Sequence, residues 1–426
     1  MKRALPEAVV EFLGFSHEGC AKVDALRGFT LPEWNNCLRW LHDAGIALYF
    51  LHRLKSTSNS AIVPKSVVHS LEHCFQANRR RTSYLADRFR AINQQFEETG
   101  VRYAVVKGFS LVPQFCPEME LRLLSDLDYL VDPESLPAAR EVIERAGYLF
   151  RSSTPTHFAF INRQTTKRPE PHEQYDAGTP HAVELHLSLW ETETYGSSLA
   201  EPKFLTGEVE NQTWQGCLFP ALAEEDVFLL QCIHAFGHIL TYWIRMSWLY
   251  EISYFLNRQA TDEVFWVRVK NRVGSDPVLR EVIALVVALA TQFFSAPVPP
   301  LIADWIGEIR PAVRVWIEHY ARTWAFGKNH HGGEFVFFPT AKLVLFLHQQ
   351  YTPDKDPIFP KRLVPLGGFS RLLSKRDSVP QTVPGSGLPS RRHLLRKTLF
   401  HVGSGVRYVW EVPRWHRLNR TILKQA

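Results

Sequence analysis

The sequence contains no cysteine pair with the spacing of a metal site or a redox motif. Its six cysteines are scattered along the chain (Cys20, Cys37, Cys74, Cys116, Cys217 and Cys232). Zinc sites and thioredoxin-like motifs bring two cysteines within a few residues of each other, and disulfide-stapled domains are short and rich in cysteine. The cysteines therefore predict reduced thiols in the core of a cytoplasmic protein.

Long apolar runs are also missing. A membrane-spanning helix needs roughly 20 consecutive apolar residues, but the longest apolar stretch (residues 282–294) is interrupted by Thr291 and Gln292. The first residues (1–11) mix basic, acidic and apolar side chains and do not form a signal-peptide pattern. We therefore expect a soluble cytoplasmic protein without a transmembrane segment.

Acidic residues are scarce in one part of the chain, the segment from Lys361 to the C-terminus. This segment holds fourteen Lys and Arg against only Asp377 and Glu411, a net charge of +12, whereas the whole chain carries +6. Residues 1–360 therefore sum to −6. An excess of one sign indicates an anionic partner such as nucleic acid, anionic lipid or an acidic protein.

Aromatic residues in the basic tail support a second interpretation. Alternation of Val406, Tyr408, Trp410 and Val412 is typical of one face of a strand. Trp415 follows, and large aromatics often fill the cores of proteins. The alternative to an anionic partner is therefore a tail whose last thirty or so residues dock on the core of the chain.

The length of the chain allows two or three domains around a large core. The hydrophobic patterns predict four regions, with a linker at 377–389: an N-terminal helical region (1–98), an α/β core (99–220), a C-terminal helical domain (221–352) and a basic Pro/Gly-containing tail (353–426). The predicted fold class is α+β, a mixed sheet flanked by helical regions.

Two aspartates begin an apolar, β-prone run in the predicted core. Side chains two residues apart in a strand point to the same face, so Asp126 and Asp128 should project together. Like charges held this close repel unless a cation lies between them, and carboxylate oxygens suit Mg²⁺. The pair predicts a magnesium–nucleotide site.

Two neighbouring segments strengthen this prediction. Upstream, residues 101–106 predict a buried strand that ends at Lys107-Gly108, where a glycine turn lets backbone amides approach a phosphate. A short helix is predicted for residues 111–115. Downstream, residues 181–187 predict a strand that carries Glu184, and a third carboxylate is what a two-metal transfer site requires.

With these segments in order, the chain resembles the uncharacterised bacterial nucleotidyltransferase family of the polymerase-β superfamily. The resemblance covers roughly residues 100–255 and rests on four segments: Val105-Val106-Lys107-Gly108; Leu121 to Val131 with Arg122 four residues before Asp126; Glu184-Leu185-His186; and Leu229 to His238 followed by Arg245 and Trp248 to Glu251. It implies metal-dependent transfer of a nucleoside monophosphate from an NTP to an acceptor.

The resemblance also implies roles for individual residues. Asp126, Asp128 and Glu184 would be the catalytic and metal-binding carboxylates for Mg²⁺ or Mn²⁺, and Glu184 would help deprotonate the acceptor. The nucleotide-binding residues would be Lys107, Gly108, Ser110, Arg122 and Ser125. The chain departs from the superfamily pattern because the serine after the glycine turn is displaced by one residue, and Glu251 stands where Asp is frequent.

Two alternative functions fit parts of the sequence. A glycosyltransferase also uses Asp-x-Asp to hold a metal and a nucleotide sugar, although its nucleotide-binding sheet normally precedes the motif, where residues 1–98 predict helices. A degenerate nucleotide-binding or interaction protein would keep the fold without turnover. The acceptor stays open between a small molecule, a sugar, RNA and a protein side chain.

Three further patterns contain side chains that could bind a metal, a phosphate or nucleic acid. His234 and His238 share a helix face, and a structural or substrate-facing pair is favoured over a metal site. Arg245 fits a phosphate contact or a partner for a buried Glu251. The triplet at residues 79–81 fits a solvated helix face better than a nucleic-acid site.

Overall fold

The computed structural model describes residues 4–16, 23–163, 170, 172–189, 209–240, 245–326, 330–332, 335–337, 341–352 and 391–423. Cys20 and the predicted linker at 377–389 lie outside the described residues. The five other cysteines have free thiols, as predicted.

The N-terminal part of the chain is helical, as its hydrophobic pattern predicted. Four α-helices are described: α1 (Leu5–Leu13), α2 (Leu31–Asp43), α3 (Ala47–Ser56) and α4 (Lys65–Glu98). Helix α2 begins with a capping box, in which Thr30 and Glu33 each satisfy a backbone amide of the other. Helix α4 is 34 residues long and connects this region to the sheet.

A mixed seven-stranded sheet follows α4. Its strands, with helix α5 (Leu136–Arg145) between β2 and β3, are β1 (Tyr103–Val105), β2 (Asp126–Val131), β3 (Leu149–Ser153), β4 (His157–Ile161), β5 (Ala182–His186), β6 (Val209–Trp214) and β7 (Cys217–Leu222). The strand order is β3-β4-β5-β2-β1-β7-β6. Only β2–β5 and β1–β7 pair in parallel; the other neighbours are antiparallel.

The rest of the described chain is mainly helical. The helices are α6 (Glu224–Leu240), α7 (Met246–Gln259), α8 (Glu263–Val273), α9 (Pro277–Phe294), α10 (Pro300–Gly307), α11 (Pro311–His319), α12 (Ala321–Phe326), α13 (Leu345–His348) and α14 (Arg391–Leu423), with a short hairpin of β8 (His330–Gly332) and β9 (Phe335–Phe337) after α12. A mixed sheet with helical regions on both sides in sequence confirms the predicted α+β fold class.

Two hydrophobic clusters fill the molecule. One lies between the sheet and the second half of α4, and includes Phe89, Phe96 and Tyr129. The other joins α1–α3 to the helices that follow the sheet. Because the predicted N-terminal and C-terminal helical regions bury their apolar faces against each other, they form one packed body.

Helix α9 is the centre of the larger cluster. It is long and apolar enough to cross a membrane, but 67% of it is buried inside the protein. The core helix of a soluble protein has this composition for the same reason, since it is surrounded by other helices. The apolar character of α9 is therefore explained by its position in the core.

The tail differs from its predicted local structure. Residues 406–412 belong to helix α14 and not to a strand. A helix places residues two apart on different sides, so Tyr408 is buried whereas Trp410 is 82% exposed. Tyr408 and Trp415 are seven residues apart on one helix face, and both rings stack on Phe346, with centroids 4.5 and 4.8 Å away.

Other predicted elements agree or differ at their ends. Residues 133–145 form a 3₁₀ turn followed by α5. The short helix predicted for 111–115 is wrong: a single 3₁₀ turn forms earlier, at Gly108–Leu111. Strand β7 ends at Leu222, so the sheet extends beyond residue 220.

Candidate functional site

The parallel pairing of β2 with β5 assembles three carboxylates on one sheet face. Asp126 and Asp128 project from alternate positions of β2, and Asp128 lies directly opposite Glu184 in the register. Carboxylate oxygens of the three residues all lie within 4.8 Å of one another. The three carboxylates predicted from sequence are therefore brought together, with the spacing of ligands around a cation.

The two aspartates have opposite electrostatic environments. Burial, together with the charges of Asp128 and Glu184, raises the pKa of Asp126 to about 7. Burial acts on Asp128 in the same direction, but the charge of Lys107 and the hydrogen bond from His186 outweigh it and lower the pKa of Asp128. Lys107 and the hydrogen bond from His186 thus compensate the charge of Asp128, whereas the negative charge at Asp126 is not compensated to the same extent.

Lys107 is the cation that contacts the acidic cluster. Its Nζ lies 3.2 Å from Asp128 Oδ1, and the side chain is largely shielded from solvent. The next residue, Gly108, has a φ of +64°, a left-handed conformation that glycine adopts without strain. A Cβ at Gly108 would also lie 3.3 Å from the Leu124 side chain. The predicted glycine turn is therefore present beside the carboxylates.

The two predicted serines occupy different positions. Ser110 is buried, and its hydroxyl donates a hydrogen bond to the Lys107 carbonyl at 3.3 Å. Ser125 is exposed at the start of β2, where its carbonyl accepts a hydrogen bond from the Ala182 amide. Ser110 therefore stabilises the turn through its own backbone, and Ser125 lies next to the carboxylates.

Arg122 and Glu251 form a buried ion pair behind the cluster. The Arg122 Nε donates to Glu251 Oε1 at 3.1 Å, and the Tyr49 hydroxyl donates to the same oxygen at 2.9 Å. The sequence offered Arg245 as a partner for Glu251, but the ion pair at 3.1 Å is made by Arg122. The pKa of Arg245 is lowered by burial, and the charge of Asp126 offsets part of that effect.

Two histidines that the sequence interpretation did not assign complete the cluster. His186 Nε2 lies 3.0 Å from Asp128 Oδ1 and 3.8 Å from Glu184 Oε2, and His157 Nε2 lies 3.1 Å from Glu184 Oε2. His186 is two residues after Glu184, so strand alternation could have put it on the same face. No sequence pattern indicated His157, because its position in the cluster depends on the pairing of β4 with β5.

His234 and His238 lie on α6 and contact each other and Trp248. Their ring centroids are 4.5 Å apart, and the His238 ring stacks on Trp248 at 4.3 Å. Burial and the charge of Lys107 lower the pKa of both histidines, which keeps them neutral near pH 7. Within the described residues, neither belongs to a group of three metal-binding side chains.

The loop that leads into β2 is held by polar side chains of α4. Arg81, 2% exposed, donates to the backbone carbonyls of Leu124, Asp176 and Thr179. Asn78 donates to carbonyls of residues 120 and 122. The solvated-face interpretation of the arginine triplet is therefore wrong for Arg81, which positions the segment before Asp126.

A groove begins two residues beyond Asp128 along β2, at Leu130. Its volume is about 600 Å³, and its lining includes Ala104, Leu130, Ser188, Pro220 and Leu222. Leu130 follows Asp128 by two residues and pairs with His186 in the register. Leu130 therefore links the groove to the face that carries the site, and the groove lining combines apolar residues with the charged residues Glu97, Arg102 and Asp132.

Comparison with protein families agrees with this fold and site. Residues 30–295 match the family described as uncharacterised nucleotidyltransferase. The chain belongs to this family, and the match extends from α2 to the end of α9. No curated protein and no solved structure match the chain. The membership identifies a transferase of the nucleotidyl type and leaves its substrates to be inferred from the site.

Proposed function

We propose that the protein is a metal-dependent nucleotidyltransferase that moves a nucleoside monophosphate from an NTP to an acceptor. The observation that carries the proposal is the set of carboxylate oxygens of Asp126, Asp128 and Glu184, all within 4.8 Å of one another. In the reaction, an acceptor oxygen forms a bond to the α-phosphorus, the bond to the bridging oxygen breaks, and pyrophosphate leaves.

The three carboxylates fit Mg²⁺ or Mn²⁺, which take hard oxygen ligands and bind through a few carboxylates plus substrate phosphates. The raised pKa of Asp126 supports this fit, because it marks a site whose negative charge exceeds its compensation. When bound, the metal would neutralise charge that develops on the phosphates. Asp126, Asp128 and Glu184 are the residues that would hold it.

The chain's own residues would orient the nucleotide and move the proton. Lys107 carries the positive charge closest to Asp128 and is the best candidate to balance the triphosphate. The Gly108 turn allows backbone amides to approach it. Glu184, partly exposed, would accept the proton of the acceptor hydroxyl. Arg122 would contribute positive charge to the site from its ion pair, because its Nε donates a hydrogen bond to Glu251.

The acceptor would occupy the groove beside the carboxylates. Its lining combines apolar residues such as Ala104, Leu130 and Leu222 with the charged residues Glu97, Arg102 and Asp132, which favours an acceptor with both an apolar and a polar portion. Small molecules, sugars, RNA ends and protein side chains all remain possible sources of that nucleophile. The cytoplasm is the expected location, since NTPs are available there.

The first prediction tests nucleotide binding. Asp126→Asn combined with Asp128→Asn should abolish Mg²⁺-dependent binding of ATP, measured by isothermal titration calorimetry, because neutral amides are poor magnesium ligands. The melting temperature should not fall, since the change removes mutual repulsion. The control is Asp87→Asn, which changes a side chain that is 74% exposed on the surface of α4 and should leave binding unchanged. Unchanged ATP affinity in the double variant would contradict the site assignment.

A nucleotide-binding protein without turnover is the second candidate. The observation in its favour is that Ser110, the serine expected to contact phosphate, donates its hydroxyl hydrogen bond to the Lys107 carbonyl. Release of labelled pyrophosphate from NTPs, with and without cell extract, separates the two functions. Binding without any pyrophosphate release would favour this candidate.

A further inference from the structure

We propose that His157, Glu184 and His186 form a second cation site that shares Glu184 with the acidic pair and takes a transition metal such as Mn²⁺ rather than Mg²⁺. The inference deepens the proposed function and rests on it only for the role of Glu184. The donors are two imidazole nitrogens and one carboxylate oxygen, and all three lie within 4.8 Å of one another.

The spacing of these donors is that of ligands around one ion. Two ligands bound at about 2.1 Å, at angles between octahedral and tetrahedral, are roughly 3.0–3.4 Å apart. His157 Nε2 and Glu184 Oε2 are 3.1 Å apart, and His186 Nε2 and Glu184 Oε2 are 3.8 Å apart. To ligate the same ion, His186 would exchange the 3.0 Å contact of its Nε2 with Asp128 Oδ1 for the ion, which requires a side-chain adjustment toward Glu184.

The backbone makes this arrangement specific. His157 pairs with His186 across β4 and β5, and their rings lie 4.8 Å apart on the sheet face that carries the carboxylates. Both rings are largely shielded from solvent. Two neighbouring strands, β4 and β5, thus hold the donors in fixed register, and a site built on strands requires little reorganisation to bind.

The donor types determine which metal is preferred. Imidazole nitrogen binds Mn²⁺, Co²⁺ and Zn²⁺ much better than Mg²⁺, which prefers oxygen. Asp126 and Asp128 offer only oxygen, whereas the site at His157 and His186 offers two nitrogens. The two halves of the cluster should therefore differ in metal preference.

Mn²⁺ titration of the full chain without nucleotide tests the inference. Wild-type protein should retain one Mn²⁺ in a large excess of Mg²⁺, and electron spin-echo modulation should detect directly bound ¹⁴N. His157→Ala and His186→Ala should each lower the affinity for this Mn²⁺ by at least tenfold. Each should also remove the ¹⁴N coupling that comes from the deleted ring. The matched control is His73→Ala, an exposed histidine of α4, which should change neither signal.

The outcomes separate this inference from the proposed function. Wild type without nitrogen coupling, or coupling that survives both histidine variants, would overturn it even if ATP still binds with Mg²⁺. Because the wild-type spectrum decides on its own, a variant that fails to fold does not leave the question open. Nitrogen-bound Mn²⁺ together with no Mg²⁺-dependent ATP binding would instead overturn the proposed function alone.

A different observation carries a second inference, on the outer face of α14. Five large apolar side chains of this helix are exposed, and their spacing of three, four, three and one residues puts them on one stripe: Leu399, Val402, Val406, Val409 and Trp410. The opposite face, with Tyr408 and Trp415, is docked on the core. We infer that the stripe binds an anionic lipid surface.

The positive charge of α14 favours an anionic lipid surface as the partner of the apolar stripe. Helix α14 contains eight Lys and Arg and one acidic residue, Glu411. Basic residues beside an apolar face that includes an exposed tryptophan are typical of helices that lie in the membrane interface. Nucleic acid would explain the charge but not the apolar stripe. A second copy would bring equal positive charge to the contact.

Vesicle flotation with the full chain tests the second inference. Wild type should float with vesicles of equal parts phosphatidylcholine and phosphatidylglycerol, and not with phosphatidylcholine alone, and salt should weaken binding. Val406→Asp with Val409→Asp should abolish flotation. The matched control is Val264→Asp with Val267→Asp, two exposed valines of α8, which should float like wild type.

Three results would overturn the lipid assignment. These are the absence of wild-type flotation, flotation that survives Val406→Asp with Val409→Asp, and a concentration-dependent dimer that this double variant dissociates. All four valines are more than half exposed, so neither double variant should affect the core. A melting temperature equal to wild type checks that condition for each protein.

Discussion

At the scale of single residues, the site depends on what surrounds each carboxylate. Asp126 and Asp128 are the same residue type on the same strand, yet their pKa values move in opposite directions. Lys107 and His186 hydrogen-bond to Asp128, whereas burial and the neighbouring carboxylates dominate at Asp126. Glu184 contacts His157 and lies opposite Asp128. The three carboxylates are therefore not equivalent, and their variants should have different effects.

Glu184→Gln should separate binding from chemistry. If Glu184 accepts the acceptor proton, the variant should bind ATP within a few-fold of wild type but lose roughly 10²–10⁴-fold in kcat, the usual contribution of a general base. Steady-state kinetics and calorimetry on the same preparation measure both. Glu210→Gln, on the exposed edge strand β6, is the control. Normal turnover in Glu184→Gln would mean that another group accepts the proton.

Strand alternation was sufficient to predict the acidic residues, because it needs no knowledge of partners. Asp126, Asp128 and Glu184 could be identified this way. The pairing of β2 with β5 could not, since β3 and β4 separate them in sequence and the parallel register depends on the whole sheet. His157 enters the cluster only through the pairing of β4 with β5 and for this reason was not predicted.

At the scale of elements, helix α4 determines the position of the acidic strand. Its buried residues recur every three or four positions, and Arg81 is four before Leu85 on that buried stripe. The periodicity therefore contained the information that Arg81 faces inward, but the neighbouring Arg79 and Arg80 suggested a solvated face. The helix uses Arg81 to satisfy carbonyls of the loop that leads to Asp126.

Arg81→Ala should destabilise the protein by about 3–5 kcal/mol, because it leaves several buried carbonyls without donors. Arg80→Ala, one residue earlier and exposed, should change the free energy of unfolding by less than about 0.5 kcal/mol. Urea denaturation of both variants measures the difference. Equal stability of the two variants would show that the Arg81 hydrogen bonds contribute nothing net.

At the scale of the whole molecule, one core holds distant segments together. Tyr408 and Trp415 near the C-terminus and Phe12 near the N-terminus belong to the same hydrophobic cluster. The docking of the tail was among the interpretations of the sequence, but the strand pattern assigned Tyr408 and Trp410 to one face. Alternation over so short a segment cannot distinguish a strand from a helix with two apolar faces.

Trp415→Ala and Trp410→Ala test the docked and exposed faces of α14. Trp415 is 5% exposed and packs on Phe346 and Tyr320, so its removal should cost about 3–5 kcal/mol. Trp410, 82% exposed, should cost less than about 0.5 kcal/mol. Thermal denaturation of the two variants measures the difference in their stability. A smaller loss for Trp415 than for Trp410 would contradict the docked helix.

Buried histidines should make the whole fold sensitive to acid. Burial lowers the pKa of His42 and of His181 from 6.5 to about 4. Between these values the unfolded chain binds more protons than the folded one, so stability is complete above pH 6.5 and is lost as the pH falls toward 4. A pKa shift of this size corresponds to a loss of roughly 3 kcal/mol in the free energy of unfolding for each histidine at acid pH.

His42→Asn should therefore reduce the slope of the free energy of unfolding against pH, between pH 6.5 and 4, by the equivalent of about one proton. The variant should also be less stable than wild type at pH 7, because it loses the contact of His42 Nδ1 with the Tyr175 hydroxyl at 3.1 Å. Urea denaturation at a series of pH values gives the slope. His73→Asn, exposed on α4, should keep the wild-type slope. If His42→Asn also keeps that slope, His42 takes up its proton in the folded state, and the acid sensitivity must come from other groups.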